Sequence, residues 1–251
     1  MRIDKFLAEK FGSRTKAANA VEKGLVKVNG KTVTCSYEVR QSDSITFEQA
    51  ETNFVSAGGY KLYKAFKDFN VNAENKIFAD IGASNGGFTD CLLQSGAKKV
   101  YCIDVGESQL DRSLLDKNVV VIDKFNARNL TSELFSDSLD GVTIDVSFIS
   151  LTYILGAVSD VLEKGKEVYA LIKPQFECET KNVGKNGIVK SGQEHKKAIS
   201  KIYDFAVSVG LAPVNITTAP IIKGKNLEYV LRMIKGGTSV EKQILIKSVV
   251  L

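Results

Sequence analysis

Ile77-Phe78-Ala79-Asp80-Ile81-Gly82-Ala83-Ser84-Asn85-Gly86-Gly87-Phe88-Thr89-Asp90 decides the fold of this chain. Ile77 to Ile81 reads as a buried-type strand, and Gly82, Gly86 and Gly87 let the backbone turn tightly against a ligand before Phe88 opens a helix. The spacing Gly-x-x-x-Gly-Gly departs from the dinucleotide fingerprint and lacks the Lys-Ser/Thr ending of a phosphate-binding loop, so no pyrophosphate cradle is expected. A second strand, Val100 to Asp104, ends in a carboxylate about 20 residues beyond the glycines, where an acidic side chain accepts hydrogen bonds from ribose hydroxyls. A glycine turn without phosphate chemistry, followed by a ribose-binding Asp104, suits S-adenosylmethionine. The plainer alternative is a tight strand-to-helix turn with no ligand.

Outward from this stretch, apolar β-type runs alternate with helical patterns, as in a parallel sheet covered on both faces. Strands are expected near Ile77 to Ile81, Val100 to Asp104, Val119 to Ile122, Val142 to Val146, Val168 to Ile172, Val214 to Thr218 and Leu227 to Ile234. Helices are expected near Phe88 to Gln94, Gln109 to Leu115, Leu151 to Leu162 and Gln193 to Val209. The fold class is therefore α/β, a Rossmann-like methyltransferase domain with a seven-stranded, mostly parallel sheet. The glycine-bearing segment Pro174 to Lys190 has the length of a lid.

Residues 1–48 read as a small α+β domain. Ile3, Phe6 and Leu7 form a short apolar stripe, Ser13 is placed to cap a helix from Arg14 to Lys23, and Gly24 ends it. Two short β-type runs then flank Asn29-Gly30, a strong hairpin signal. This domain holds nine Lys/Arg against six Asp/Glu, net +3, which leaves +2 for the rest of a chain whose formal charge is +5. Arg2, Lys5, Arg14, Lys16, Lys27 and Lys31 are placed to meet phosphates, and the unit resembles an RNA-docking module of a ribosomal protein and of pseudouridine synthases. Residues 49–58 are assigned as linker and 59–251 as the larger domain.

At 251 residues, with 44% hydrophobic and 25% charged residues, the chain has the composition of an ordinary soluble protein. No leader pattern and no run of about 18 apolar residues appears, so a cytoplasmic location without membrane contact is expected. Cys35, Cys91, Cys102 and Cys178 lack Cys-x-x-Cys spacing, and His195 sits among Glu194, Lys196 and Lys197. Reduced packing thiols, a solvated histidine on a helix surface and no metal site are expected.

Ligands in open α/β sheets bind outside the carboxyl ends of the strands. Asp145 and Lys173 each follow an apolar strand, Lys61 lies at the start of a helix leading to the sheet, and Glu228 precedes the last strand. A charge at such a place is costly unless it has a partner or a task. A hydroxyl attacking an activated methyl needs its proton removed or its oxygen held, a role for Lys173. Lys61 would disfavour its charged form, whereas Asp145 and Glu228 would favour it and orient it.

Six elements match the TlyA family, also called hemolysin A, in order along the chain: Phe54 to Leu62, Asp80 to Asp90, Asp145 to Leu151, Lys173 to Glu177, Val183 to Val189 and Asn226 to Tyr229. The resemblance implies an rRNA cytidine 2'-O-methyltransferase of FtsJ-like fold using S-adenosylmethionine. It implies a Lys61, Asp145, Lys173, Glu228 tetrad. It also implies a methyl-donor pocket at Asp80, Gly82, Ala83, Ser84, Gly86, Gly87 and Phe88, with Asp104 on the ribose and Asp123 to Asn126 nearest the adenine. Three departures stand out: Ala57 where the family has an arginine that touches RNA, Asp123-Lys124-Phe125-Asn126, and Gly106 to Leu110. The short ends resemble the variant that modifies large-subunit rRNA alone, so a large ribosomal subunit is the expected partner. Two other classes compete: a noncatalytic ribosome- or RNA-binding protein, and a membrane-active hemolysin, for which the tail Ile244 to Leu251 is the nearest segment.

Overall fold

The chain divides between Asn53 and Phe54 into two units. The computed structural model describes residues 1–22, 25–47, 53–115, 117–221 and 224–250, with Lys16, Asn19 and Phe47 placed by their backbone only. The expected helix end at Lys23 and Gly24 and most of the polar part of the linker lie outside these residues.

The smaller unit starts with α1 (Ile3–Phe6) and α2 (Arg14–Glu22), followed by β1 (Val26–Val28), β2 (Lys31–Thr32) and β3 (Ile45–Phe47). Asn29 and Gly30 both take left-handed φ values, 51° and 77°, so β1 and β2 meet through the mirror-image turn that matches strand twist. The third strand has no counterpart in the sequence reading. It pairs antiparallel with β1, and Asn29 fixes it by donating from Nδ2 to Asp43 (2.9 Å) and accepting from the Ser44 amide (2.9 Å). Ile3, Leu7, Ala17, Ala20, Val21, Val26 and Val28 form the unit's core.

The larger unit runs α3 (Ala57–Phe69), β4 (Ile77–Ile81), α4 (Gly87–Gln94), β5 (Lys99–Ile103), α5 (Arg112–Leu115), β6 (Val119–Ile122), β7 (Gly141–Ile144), α6 (Leu155–Asp160), β8 (Glu167–Ile172), α7 (Pro174–Glu177), α8 (Gly192–Ser208), β9 (Leu211–Thr218), β10 (Tyr229–Lys235) and α9 (Lys242–Val249). Its seven-stranded sheet has the order β6-β5-β4-β7-β8-β10-β9. The first five strands are parallel, and β10 runs antiparallel to both β8 and β9.

Side chains alternate across a strand, so one sequence run feeds two cores. Phe78, Val100, Cys102, Tyr169 and Leu171 pack on one face with Leu62, Ala65 and Phe66 of α3 and Cys91 and Leu92 of α4. Ala79, Ile81, Tyr101, Ile103, Val168 and Ala170 pack on the other with residues of α6, α8 and α9. Each fully buried aliphatic or aromatic side chain contributes about 1.5–3 kcal/mol relative to exposure, so both faces must be covered. Burial also raises the Cys91 and Cys102 thiols to about 12, making them inert packing groups.

Several expectations change. The linker assignment extends to residue 58, yet α3 already takes Ala57 and Gly58, because Phe54 packs beneath Gly59 and ends the irregular segment early. The helix expected from Gln109 begins only at Arg112, since Leu110 is drawn against Gly86 and the Asp111 amide bonds to the Asn85 carbonyl (3.3 Å). The helix expected over Leu151 to Leu162 is interrupted: Glu177 accepts from the Leu151 amide (2.8 Å) and the Ser150 hydroxyl (2.5 Å), holding a 3₁₀ turn ahead of α6. The long Pro174 to Lys190 segment contains α7 and a further 3₁₀ turn.

His195 is not solvated; it is 5% exposed on the inner side of α8. Its Nε2 meets the Val189 carbonyl and its Nδ1 the Tyr229 hydroxyl, each at 2.9 Å. A carbonyl only accepts, so Nε2 carries a proton and donates it to Val189. The charged residues flanking His195 marked a helix face, and the imidazole lies on the opposite one.

Candidate active site

Strand order reverses at β4, whose neighbours are β5 and β7, and the carboxyl ends of these strands open a crevice there. Gly82 follows β4 directly. With φ at 78°, a Cβ on Gly82 would stand 2.6 Å from the Asp145 carbonyl oxygen, so the two strand ends approach as closely as backbone allows. At Gly87 a Cβ would run into the Ser56 hydroxyl and stand 2.9 Å from the Gly59 amide. Here the amino-terminal turns of α3 and α4 touch. Ser84 takes a left-handed φ of 47°, held by its amide donating to Asp104 (2.8 Å).

These elements enclose a cavity of about 330 Å³ lined by Ser56, Ala57, Gly58, Lys61, Gly82, Ala83, Ser84, Asn85, Gly87, Phe88, Asp145, Ser147 and Lys173. The volume lies in the range of small-molecule pockets, about 300–1,000 Å³. The glycine turn and three members of the expected tetrad thus share one wall. Asp145 and Lys173 end the neighbouring parallel strands β7 and β8, and Lys173 Nζ lies 2.6 Å from Asp145 Oδ1. That contact is an ion pair whose angles are poor for a hydrogen bond, and Asp145 Oδ1 is buried against it. Lys173 also donates to Ser147 Oγ at 2.8 Å. Tyr229 of β10 pairs with Ile172 of β8, so Glu228 arrives beside Lys173, and its Oε2 holds Lys61 Nζ at 2.7 Å. Two lysine–carboxylate pairs therefore stand together at the mouth of the switch point.

Other expected residues take different places. Asp80 is fully buried and does not reach the cavity; it accepts from Thr89 Oγ1 (2.7 Å) and Thr143 Oγ1 (2.8 Å) beneath the glycine turn. Burial pushes its carboxyl up to about 6, opposed by the two threonine hydroxyls. Gly86 packs under Leu110 and Leu114 rather than on the cavity wall. Asp104 accepts from the amides of Ser84 and Gly106, each at 2.8 Å, and a carboxylate so engaged retains lone pairs for ribose hydroxyls. Asp123 accepts from the Ser108 amide (2.8 Å) and Asn126 from the Arg128 amide (3.1 Å), so both brace loops rather than line the cavity. Ala57, expected at an RNA contact, lines the cavity.

Ser56, Gly58, Asn85 and Ser147 line the cavity without having been singled out. Their signal was adjacency: each lies within three residues of a residue that was. Phe148 is a further surprise, 91% exposed with φ at 65°, its ring 5.2 Å from that of Phe176. A bulky side chain held in a left-handed backbone in water points to function.

In the smaller unit, Arg2 and Arg14 converge on the buried carboxylate of Asp4, at 3.1 and 2.9 Å. Burial would raise the Asp4 carboxyl, but the two arginines hold it below its usual value. Both guanidinium groups remain exposed, as do Lys5 and Lys31, whereas Lys27 is half-buried on β1. The Lys16 side chain lies outside the described residues.

Residues 54–234 match the FtsJ-like methyltransferase family, and residues 1–45 match the S4 domain. The chain is 41% identical over 240 residues to "Hemolysin A" of Brachyspira hyodysenteriae, covering 93% of this chain and all of that protein. It is 34% identical over 223 residues to the "16S/23S rRNA (cytidine-2'-O)-methyltransferase TlyA" of Mycobacterium tuberculosis, covering 87% and 83%. A "23S rRNA (cytidine-2'-O)-methyltransferase TlyA" of Campylobacter jejuni is 30% identical over 260 residues, covering 94% of this chain and all of that protein. No helix among the described residues is long and apolar enough to cross a membrane, and the tail that a membrane-active reading would need packs Leu245 and Ile246 of α9 into the core. The cavity, of small-molecule size and placed at the carboxyl ends of the strands of an FtsJ-like methyltransferase fold, fits S-adenosylmethionine as cofactor. With a matching model spanning most of the larger unit and an S4 domain before it, the chain belongs to the FtsJ-like methyltransferase family.

Proposed function

We propose that the protein transfers a methyl group to the ribose 2'-hydroxyl of a cytidine in ribosomal RNA, with large-subunit RNA as the foremost substrate and the cytoplasm as its place of work. The observation that carries this reading is the meeting of Lys61, Asp145 and Lys173 on the wall of the glycine-turn cavity, with Glu228 closing the set through Lys61. The Mycobacterium and Campylobacter relatives both act on 23S rRNA by name, the former on 16S rRNA as well, which favours the large subunit.

Ser84 and the glycine turn, with Asp104 behind them, would hold S-adenosylmethionine, which supplies a sulfonium-activated methyl group. Lys173 in its neutral amine form takes the proton of the 2'-hydroxyl as the oxygen bonds to the methyl and the sulfur departs as a thioether, and Asp145, 2.6 Å away, holds the ammonium that results. The Lys61–Glu228 pair fixes a second cation at the mouth, against which a phosphate of the substrate strand settles. Catalysis here depends on placement, since a well-oriented pair of reactants removes much of the entropic barrier. Arg2 and Arg14 on the S4 domain supply phosphate contacts that position the RNA without reading its sequence. The exposed Phe148 offers a face for a nucleobase at the site, where the target must leave its stack at a cost of about a few kcal/mol.

The test is transfer of labelled methyl from S-adenosylmethionine to purified ribosomal subunits lacking the modification, comparing large with small and wild type with Lys173→Ala, with the product mapped by mass spectrometry. Label on a large-subunit cytidine ribose that falls at least about 100-fold in Lys173→Ala is expected. Label on neither subunit, with methyl-donor binding intact, overturns the substrate assignment.

A further inference from the structure

Lys173 is held by three neighbours of different kinds. Asp145 attracts it through an ion pair without hydrogen-bond geometry, and Phe176 lies with its ring centre 6.0 Å from Nζ. Both attractions act mainly on the charge and depend less on where its hydrogens point than a directed hydrogen bond does. Ser147 is different: Lys173 donates a directed hydrogen bond to its Oγ at 2.8 Å, and among the described residues no other directed hydrogen bond of Lys173 is seen. Ser147 also lines the cavity, two residues beyond Asp145, and is exposed to it.

We infer that Ser147 is the positioning residue that aims Lys173 at the acceptor hydroxyl. The inference rests on the methyl-transfer reading of this cavity. In its amine form, an Nζ that donates to Ser147 along one tetrahedral direction and lies against Asp145 along a second presents its third, the lone pair, to the cavity. A lysine held by charge alone sweeps a cone, so it meets the attacking oxygen in only a fraction of its orientations. The backbone supports this division of labour. Asp145 donates its own amide to the Ile81 carbonyl at 2.9 Å, so Ser147 lies two residues from a fixed strand end. Ser147 Oγ accepts from Lys173, and its own hydroxyl proton is available to an oxygen of the ribose.

The experiment compares wild type, Ser147→Ala, Ser147→Thr and Lys173→Ala in the full-length protein. Steady-state transfer to unmodified ribosomal subunits should show kcat lowered about 10–100-fold in Ser147→Ala, with KM for S-adenosylmethionine within about twofold of wild type. Ser147→Thr, which keeps the hydroxyl, should recover most of that loss. A second readout needs no substrate: relaxation of the Lys173 side-chain Cε, assigned by its disappearance in Lys173→Ala, should report a restrained lysine in wild type and Ser147→Thr and a mobile one in Ser147→Ala. An unchanged kcat, a loss confined to KM, a failure of threonine to restore, or equal Cε mobility in all forms overturns the inference. If wild type itself methylates no ribosomal RNA, the substrate reading falls while the relaxation comparison still decides the role of Ser147.

Discussion

Replacing Asp80 with asparagine separates the two roles this residue has been given. Asp80 lies wholly buried beneath the glycine turn, and burial raises its carboxyl from 3.8 to about 6. Between those values the folded protein binds more protons at this site than the unfolded chain does, so stability must fall as pH rises. The favourable contribution is complete below about pH 4 and is lost as pH passes through about 6. A shift of about two units at 1.36 kcal/mol each corresponds to about 3 kcal/mol. An asparagine cannot ionise, so Asp80→Asn gains about that much relative to wild type between pH 4 and 7. One threonine must turn its hydroxyl to accept from the new amide, which adds an offset that does not depend on pH. Urea unfolding of both proteins in half-unit pH steps, followed by hydrogen exchange at β4 and β5 amides, isolates the larger unit from the S4 domain. A stability difference constant within about 1 kcal/mol from pH 4 to 7 refutes the buried, raised carboxyl. The same proteins also settle the ligand question, because a side chain sealed under the turn should leave methyl-donor affinity within about threefold, whereas a direct ligand lost as a charge-assisted bond costs 10-fold or more, about 1.5–3 kcal/mol.

Gly87→Ala places a methyl group against the Ser56 hydroxyl and the Gly59 amide. Prying α3 from α4 costs about 1–3 kcal/mol, so methyl-donor affinity by calorimetry should drop at least about tenfold, and a Kd within twofold of wild type rejects the close-approach argument. Phe148→Gly removes an exposed ring and relieves a left-handed backbone at once. Thermal stability should hold or rise by up to about 1 kcal/mol while KM for ribosomal subunits rises about tenfold, from a stacking contribution of about 1–3 kcal/mol; unchanged KM with higher stability identifies plain strain instead.

The parts of the site that could be read in advance were those whose chemistry is local. Gly82 and Gly87 announce a close approach because only glycine tolerates one, and a carboxylate or lysine directly after an apolar strand announces a strand-end charge. Where a residue faces is another matter. Asp80 sits in the glycine motif and looks like a ligand, yet alternation along β4 turns it away from the crevice toward Thr89 and Thr143. His195 lies among charged neighbours and looks solvated, yet the 3.6-residue period of α8 turns it inward to Tyr229. Ser147 carries no charge to mark it, and only its distance from Lys173 gives it a role. In the small unit, β3 was hidden because its pairing depends on Asn29 reaching Asp43 and Ser44 across 14 and 15 residues.

Which strand-end charges meet is set by sheet order, a property of the whole domain. Asp145 and Lys173 would be neighbours in any parallel sheet that kept β7 beside β8. Glu228 is their neighbour only because β10 enters antiparallel between β8 and β9, which turns its amino end toward the carboxyl ends of the parallel strands. A parallel β10 in the same position would carry Glu228 to the far edge of the sheet and leave Lys61 without its carboxylate. An unpaired lysine at that mouth would repel the ammonium of Lys173 and loosen the arrangement that presents it. The reversed strand therefore builds the site as much as the fold: it is what brings four residues scattered from position 61 to position 228 into two adjoining ion pairs.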